Sequence, residues 1–173
     1  MAGAPQTAKK LNHTLHWVLD LFDKHDIDDW FISYGTLLGV IRDGSCIDGD
    51  DDIDICVNRI YWQNVNQLLN PEALDLKHKN FINLKPTSEL GQIDFYFCDV
   101  NEDGDFHDTW ERVVWTGCYG EDGYLDVAEF QGRELNVPAN YIKKLETRYG
   151  PTWKQRIKRG TQAGDGYRNH FRL

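Results

Sequence analysis

Residues 33–55 read SYGTLLGVIRDGSCIDGDDDIDI, a run in which a glycine turn, a helix and an acidic strand follow one another. Aromatic and β-branched residues in DWFISYG (29–35) predict a short buried strand, and TLLGVIRDG (36–44) predicts a short helix ending at Gly44. DIDICV (52–57) then predicts a second strand, with Ile53, Ile55 and Val57 alternating with Asp52, Asp54 and Cys56. Five aspartates fall within seven residues, Asp48, Asp50, Asp51, Asp52 and Asp54. Their mutual repulsion opposes folding unless cations or hydrogen bonds compensate it.

The same mixture continues outward. Leu11, Leu15, Val18, Leu19 and Phe22 recur at helical spacing and predict an amphipathic helix from Thr7 to His25. Trp62, Val65, Leu68 and Leu69 mark a helix stopped by Pro71. Strands are expected at NFINLKP and QIDFYFCDV, and a hairpin about Gln131 and Gly132 joins EF to RELNV. A last helix is expected to begin near Pro138, to show Tyr141, Ile142, Leu145 and Tyr149 on one face, and to end at Gly150. Interleaved helices and strands define an α/β (α+β) fold, a mixed sheet flanked by helices. Turn residues fall singly, with no repeat or linker, so residues 1–173 are read as a single domain with a core over 11–150 and a tail over 151–173.

Composition excludes several classes. A net charge of −9 disfavours nucleic acid as a partner, and 22 aromatic residues in 173 supply enough apolar surface for a core. No run is long and apolar enough for a membrane span, and MAGAPQTAKK lacks the apolar core of a signal peptide, so the expected compartment is the cytoplasm. Cys46, Cys56, Cys98 and Cys118 are widely spaced and read as reduced thiols. Beyond Gly150, six basic residues stand against the single acid Asp165, and this basic tail is expected to contact an anionic substrate or the acidic body.

On a strand, Asp52 and Asp54 share a face with Cα atoms about 7 Å apart, a spacing from which both carboxylates reach one or two Mg²⁺ ions. The plainer reading is a solvated acidic turn entering an edge strand. Asp94 lies inside IDFYF, opposite in face to Ile93, Phe95 and Phe97, and a carboxylate in mid-strand needs a partner. It is either paired with an arginine or water, or a third ligand beside Asp52 and Asp54, provided the two strands are neighbours. Gly35 and Thr36 lie where a strand gives way to a helix, a place whose free N–H groups hold phosphate oxygens, and Arg42 is in reach of the same phosphates or forms an ion pair. An EF-hand starting at Asp48 fails, with Ile53 where glycine is required and Arg59 where glutamate is required. A partial calcium pattern from Asp99 has Trp110 at its twelfth position and reads better as a polar turn.

Taken together, residues 33–55 resemble the nucleotidyltransferase-fold (DNA polymerase β-like) motif of the LicD/fukutin family, a GTLLGxxR helix followed by DDDxDI. QIDFYF is similar to the family's third-carboxylate strand, and FQGRELNVPANYIKKLETRYGPTW to its closing strand, helix and RYG segment. The resemblance covers roughly 11–57, 91–100 and 128–153. It departs at Asp48 and Gly49, where Pro-Trp is common, and at Tyr34, where a small residue is common. The resemblance implies transfer of phosphocholine or a phospho-alditol from a CDP-linked donor to a glycan hydroxyl, with release of CMP. It further implies Mg²⁺ or Mn²⁺ held by Asp52, Asp54 and Asp94, which are then also the catalytic residues, and phosphate oxygens held by Gly35, Thr36 and Arg42. Asp94 is equally placed to take the acceptor's proton. Two other functions stay open on the same residues: transfer of NMP from an NTP with loss of pyrophosphate, and a non-enzymatic module that keeps the acidic pocket for a metal or glycan.

Overall fold

The computed structural model describes residues 6–157 and 171–173. Its elements run α1 (Ala8–Lys24), β1 (Trp30–Ile32), α2 (Tyr34–Asp43), β2 (Asp52–Asn58), α3 (Trp62–Leu68), β3 (Leu74–His78), β4 (Phe81–Leu84) and β5 (Gln92–Val100). After these come β6 (Phe106–Asp108), β7 (Val113–Trp115), β8 (Asp126–Phe130), β9 (Arg133–Val137) and α4 (Tyr141–Tyr149). The main sheet has the order β1-β2-β5-β4-β3, with β2 and β5 parallel and the other neighbours antiparallel; β6 extends from the far end of β5 and carries β7. β8 and β9 form the expected hairpin as a separate ribbon beside β1. The mixed α/β fold is therefore as expected.

The two faces of the sheet differ in chemistry. Odd positions of the central strands, among them Ile53, Ile55, Ile93, Phe95 and Phe97, are fully buried, and α1 covers them with Phe22 against Phe95 at 5.9 Å and Trp30 at 5.3 Å. Burying one such side chain stabilises the fold by about 1.5–3 kcal/mol. Even positions carry Asp52, Asp54 and Asp94, and an aromatic layer of Phe31, Tyr34, Tyr96, Phe106 and Trp115 fills the rest of that face in edge-to-face contacts. β2 is interior to the sheet, so the edge-strand reading of the acidic run does not hold.

Three expectations need correction. α2 starts two residues early, at Tyr34, whose backbone takes the left-handed φ of 46°. α4 starts at Tyr141 rather than near Pro138, because Ala139 and Asn140 form a turn with Asn140 at φ 56°; Ile142 is exposed, and the buried face is Lys144, Leu145, Arg148 and Tyr149. Strands β3, β6 and β7 have no counterpart in the sequence reading. The turn after Asp99 is the polar one: Asn101 Oδ1 accepts the N–H groups of Asp103 and Asp105 at 3.0 Å each, while Asp99 pairs with Arg59. All four cysteines are free and buried. No described helix is long and apolar enough to cross a membrane. Of the basic tail, Arg156 pairs with Asp43 at 3.0 Å, the contact with the acidic body that was expected, and Phe171–Leu173 pairs with β7. Lys158, Arg159 and Arg168 lie outside the described residues.

Candidate metal centre

The parallel pairing of β2 with β5 places Asp54 opposite Asp94 and Asp52 opposite Gln92. This is the neighbouring arrangement that a shared site demands. One carboxylate oxygen from each of Asp52, Asp54 and Asp94 lies within 4.8 Å of the others, and Asp50, Asp51 and Asp52 form a second such group. Asp54 and Asp94 are buried. Tyr96 Oη donates to Asp54 Oδ1 at 3.0 Å, and Asn83 Nδ2 donates to Asp94 Oδ1 at 2.5 Å. Gln92 Nε2 lies 3.4 Å from both Asp52 and Asp94. Among the described residues, no lysine or arginine pairs with any of the three.

Burial among like charges raises the carboxyl pKa values. Asp52 is pushed up to about 8 by desolvation, then by the charges of Asp94, Asp50 and Asp51. Asp54 is raised well above the usual range by burial and by Asp52 and Asp50, although the Tyr96 hydroxyl works against this. Asp94 rises to about 6 through burial, restrained by its bonds from Asn83 and Gln92. An all-oxygen set suits a hard divalent ion such as Mg²⁺ or Mn²⁺. The buried Asn83 Oδ1 has no hydrogen-bond partner, so a further oxygen beside Asp94 is uncommitted. The donor set therefore fits the ion that the sequence implies.

α2 delivers this site through two glycines with unequal tasks. A Cβ on Gly35 would meet Asp50 Oδ2 at 3.0 Å, tighter than an ordinary contact, and Asp54 Oδ2 at 3.8 Å, so the glycine lets Asp50 sit close to the helix start. One turn on, a Cβ on Gly39 would meet Ser45 O at 2.7 Å and Ile47 N at 2.9 Å, so this glycine admits the loop that leads to the aspartates. The Thr36 hydroxyl accepts the Asp54 N–H at 2.9 Å, and Ser33 N donates to Asp54 O at 3.0 Å, locking α2 to β2. Gly35 and Thr36 thus border the carboxylates. Arg42 is farther along α2, with its guanidinium on Asp43 at 3.1 Å.

Several neighbours escaped the sequence reading. Tyr96 was legible in principle, being two positions from Asp94 and so on the same face. Asn83 was not, because its place depends on the β4–β5 register, Asn83 opposite Asp94. Tyr34 and Asp108 meet across 74 residues: the Tyr34 hydroxyl donates to Asp108 Oδ2 at 2.5 Å, and the Arg148 guanidinium lies 4.5 Å over the Tyr34 ring. Asp108 is buried, and desolvation lifts it to about 6 against the pull of the Tyr34 bond.

A mixed sheet carrying paired aspartates on one strand and a third on its parallel neighbour defines a nucleotidyltransferase-fold domain. The chain belongs to the LicD/FKTN/FKRP nucleotidyltransferase domain family, whose profile matches residues 28–150. It is 25% identical over 165 residues to the ribitol 5-phosphate transferase FKRP of Mus musculus, an alignment covering 85% of this chain and 32% of that protein. The chain thus spans about a third of the length of that curated relative. Among solved structures it is similar to the lincomycin-bound lincosamide antibiotic adenylyltransferase LnuA, with a TM-score of 0.55 and 20% identity, covering 76% of this chain and 82% of the other. That likeness concerns the fold.

Proposed function

We propose that the chain is a Mg²⁺- or Mn²⁺-dependent phosphotransferase that moves a phospho-head group, phosphocholine or a phospho-alditol, from a CDP-linked donor to a glycan hydroxyl. The observation that carries this reading is the convergence of Asp52, Asp54 and Asp94 without a cationic partner among the described residues. Family membership and the ribitol 5-phosphate transferase relative support the direction of the chemistry. In the transfer, the acceptor oxygen forms a bond to the phosphorus of the head group, the bridging P–O bond breaks, and CMP leaves. The hydroxyl proton passes to Asp94 or to solvent. Asp52, Asp54 and Asp94 would hold the divalent ion, which when bound would supply charge neutralisation for the diphosphate. Gly35 and Thr36 N–H groups hold phosphate oxygens at the start of α2, and Arg42 adds a positive charge on the same helix.

Thermal unfolding with Mg²⁺ or Mn²⁺ against CMP, CDP, CDP-choline, CDP-ribitol and the four NTPs tests this. The expected result is metal-dependent stabilisation by CDP compounds, absent in Asp54→Asn. Selective stabilisation by one NTP, with pyrophosphate as product, identifies a nucleotidyltransferase instead. No shift with any nucleotide favours a non-enzymatic module.

A further inference from the structure

Residues 101–128 lie outside the motifs that carry the family resemblance, yet they place one large aromatic two rings out from Asp54. Trp110 is 38% exposed and stacks on Phe81 with ring centroids 4.5 Å apart and planes 8° from parallel. Phe81 pairs with Tyr96 across the β4–β5 ladder at 5.2 Å, and Tyr96 bonds Asp54. A row of rings therefore runs along the acidic face from Asp54 out to Trp110. The Trp110 backbone is fixed as well: Asp108 Oδ1 accepts the N–H groups of Trp110 at 3.0 Å and Glu111 at 3.1 Å, while its other oxygen accepts from Tyr34. A tryptophan stacked on one face, open to solvent and held by a buried carboxylate is pre-organised in a way that an ordinary surface residue is not.

We infer that Trp110 is the stacking shelf for a sugar ring of the acceptor. Two observations bear on the occupant, the second of which separates a sugar of the acceptor from the base of the donor. First, the shelf is flanked by hydrogen-bonding groups of both kinds. The His78 ring lies 5.8 Å from Trp110, and because its Nδ1 accepts the Asn80 N–H, its Nε2 carries the proton and donates. Glu111, next in the chain and exposed, supplies an acceptor whose charge is felt at Tyr96 and Asp108. A flat apolar face with a donor beside it and an acceptor on the next residue suits a ring that bears hydroxyl groups. Second, the sheet separates the two sides of the site. α2 packs on β2, Phe81 belongs to β4 and carries the ring of Trp110 from the β6–β7 turn, and β5 with Asp94 runs between β2 and β4. Phosphoryl transfer holds the attacking and leaving oxygens roughly in line. With the diphosphate at the start of α2, the attacking hydroxyl arrives from the β4 side.

The destination of the sugar hydroxyl rests on the phosphotransferase reading, whereas sugar binding itself does not. The experiment is therefore a ¹H–¹⁵N spectrum of the tryptophan indoles, with the Trp110 signal identified by its loss in Trp110→Phe. The protein is titrated with a panel of methyl glycosides and, separately, with CMP and Mg²⁺. The expected outcome is movement of the Trp110 indole signal with at least one glycoside and none with CMP. Trp110→Ala should weaken that glycoside roughly three- to tenfold while the protein stays folded at the titration temperature, and Trp110→Tyr should restore it. Movement with CMP, or with no compound, overturns the shelf. Absence of metal-dependent CDP stabilisation in the unfolding assay defeats the phosphotransferase reading alone.

Discussion

At the scale of single residues, Gly35 and Gly39 make separable predictions although they occupy the same face of α2. Alanine at Gly39 drives its methyl into backbone atoms of Ser45 and Ile47, which have no rotamer to change. We expect Gly39→Ala to destabilise the fold by about 1–3 kcal/mol in urea unfolding. Alanine at Gly35 meets the tips of Asp50 and Asp54, which yield by rotating. Gly35→Ala should therefore keep most of its stability and lose Mg²⁺ affinity, read by isothermal titration. Asp54→Asn should give the opposite balance: replacing a carboxyl that burial and its acidic neighbours disfavour raises the metal-free unfolding temperature while abolishing stabilisation by metal. An unchanged metal response in Asp54→Asn would falsify its role as a ligand. The aspartates were legible in the sequence because alternation along a strand fixes which residues share a face. Tyr34 was not, since no local rule places a tyrosine at φ 46°; its ring packing and its bond to Asp108 hold it there.

Among elements, the long periodic segments were readable, as were the short β1 and β4 through their aromatic and β-branched residues, while β3, β6 and β7 were not. α1 carries a full apolar face, so spacing alone located it to within a residue at each end. β6 and β7 are three residues each, too short for alternation to show, and they exist because β5 and the returning Phe171–Leu173 supply partners. What joins these late elements to the site is Asp108, which ties β6 to the head of α2 and to Trp110 and Glu111. Asp108→Ala leaves the Tyr34 hydroxyl and two backbone N–H groups unsatisfied. It should cost about 2–4 kcal/mol, measured by urea unfolding. Asp108→Asn keeps acceptors for the amides and should cost less. Equal losses in the two variants would show that the carboxylate matters through its charge and not through its bonds.

For the molecule as a whole, a site that concentrates acids on one face must leave a signature in stability against pH. An aspartate in the unfolded chain titrates near 4, whereas the folded cluster gives up protons only at about 6 for Asp94 and about 8 for Asp52. Between these limits the folded state binds more protons than the unfolded state, so the slope of unfolding free energy with pH is negative. The contribution of the cluster is full below about pH 4 and is lost as pH rises through 6 to 8. Metal-free protein should accordingly melt at progressively lower temperature from pH 5 to pH 8, and Asp52→Asn should flatten part of that decline. A divalent ion binds the deprotonated cluster, so its affinity should grow over the same interval and its saturation should cancel the slope. Melting curves at four pH values, with and without Mg²⁺, decide the matter. A wild-type slope identical to that of Asp52→Asn would mean that the carboxylates are already compensated, and the case for a metal at this face would lose its electrostatic ground.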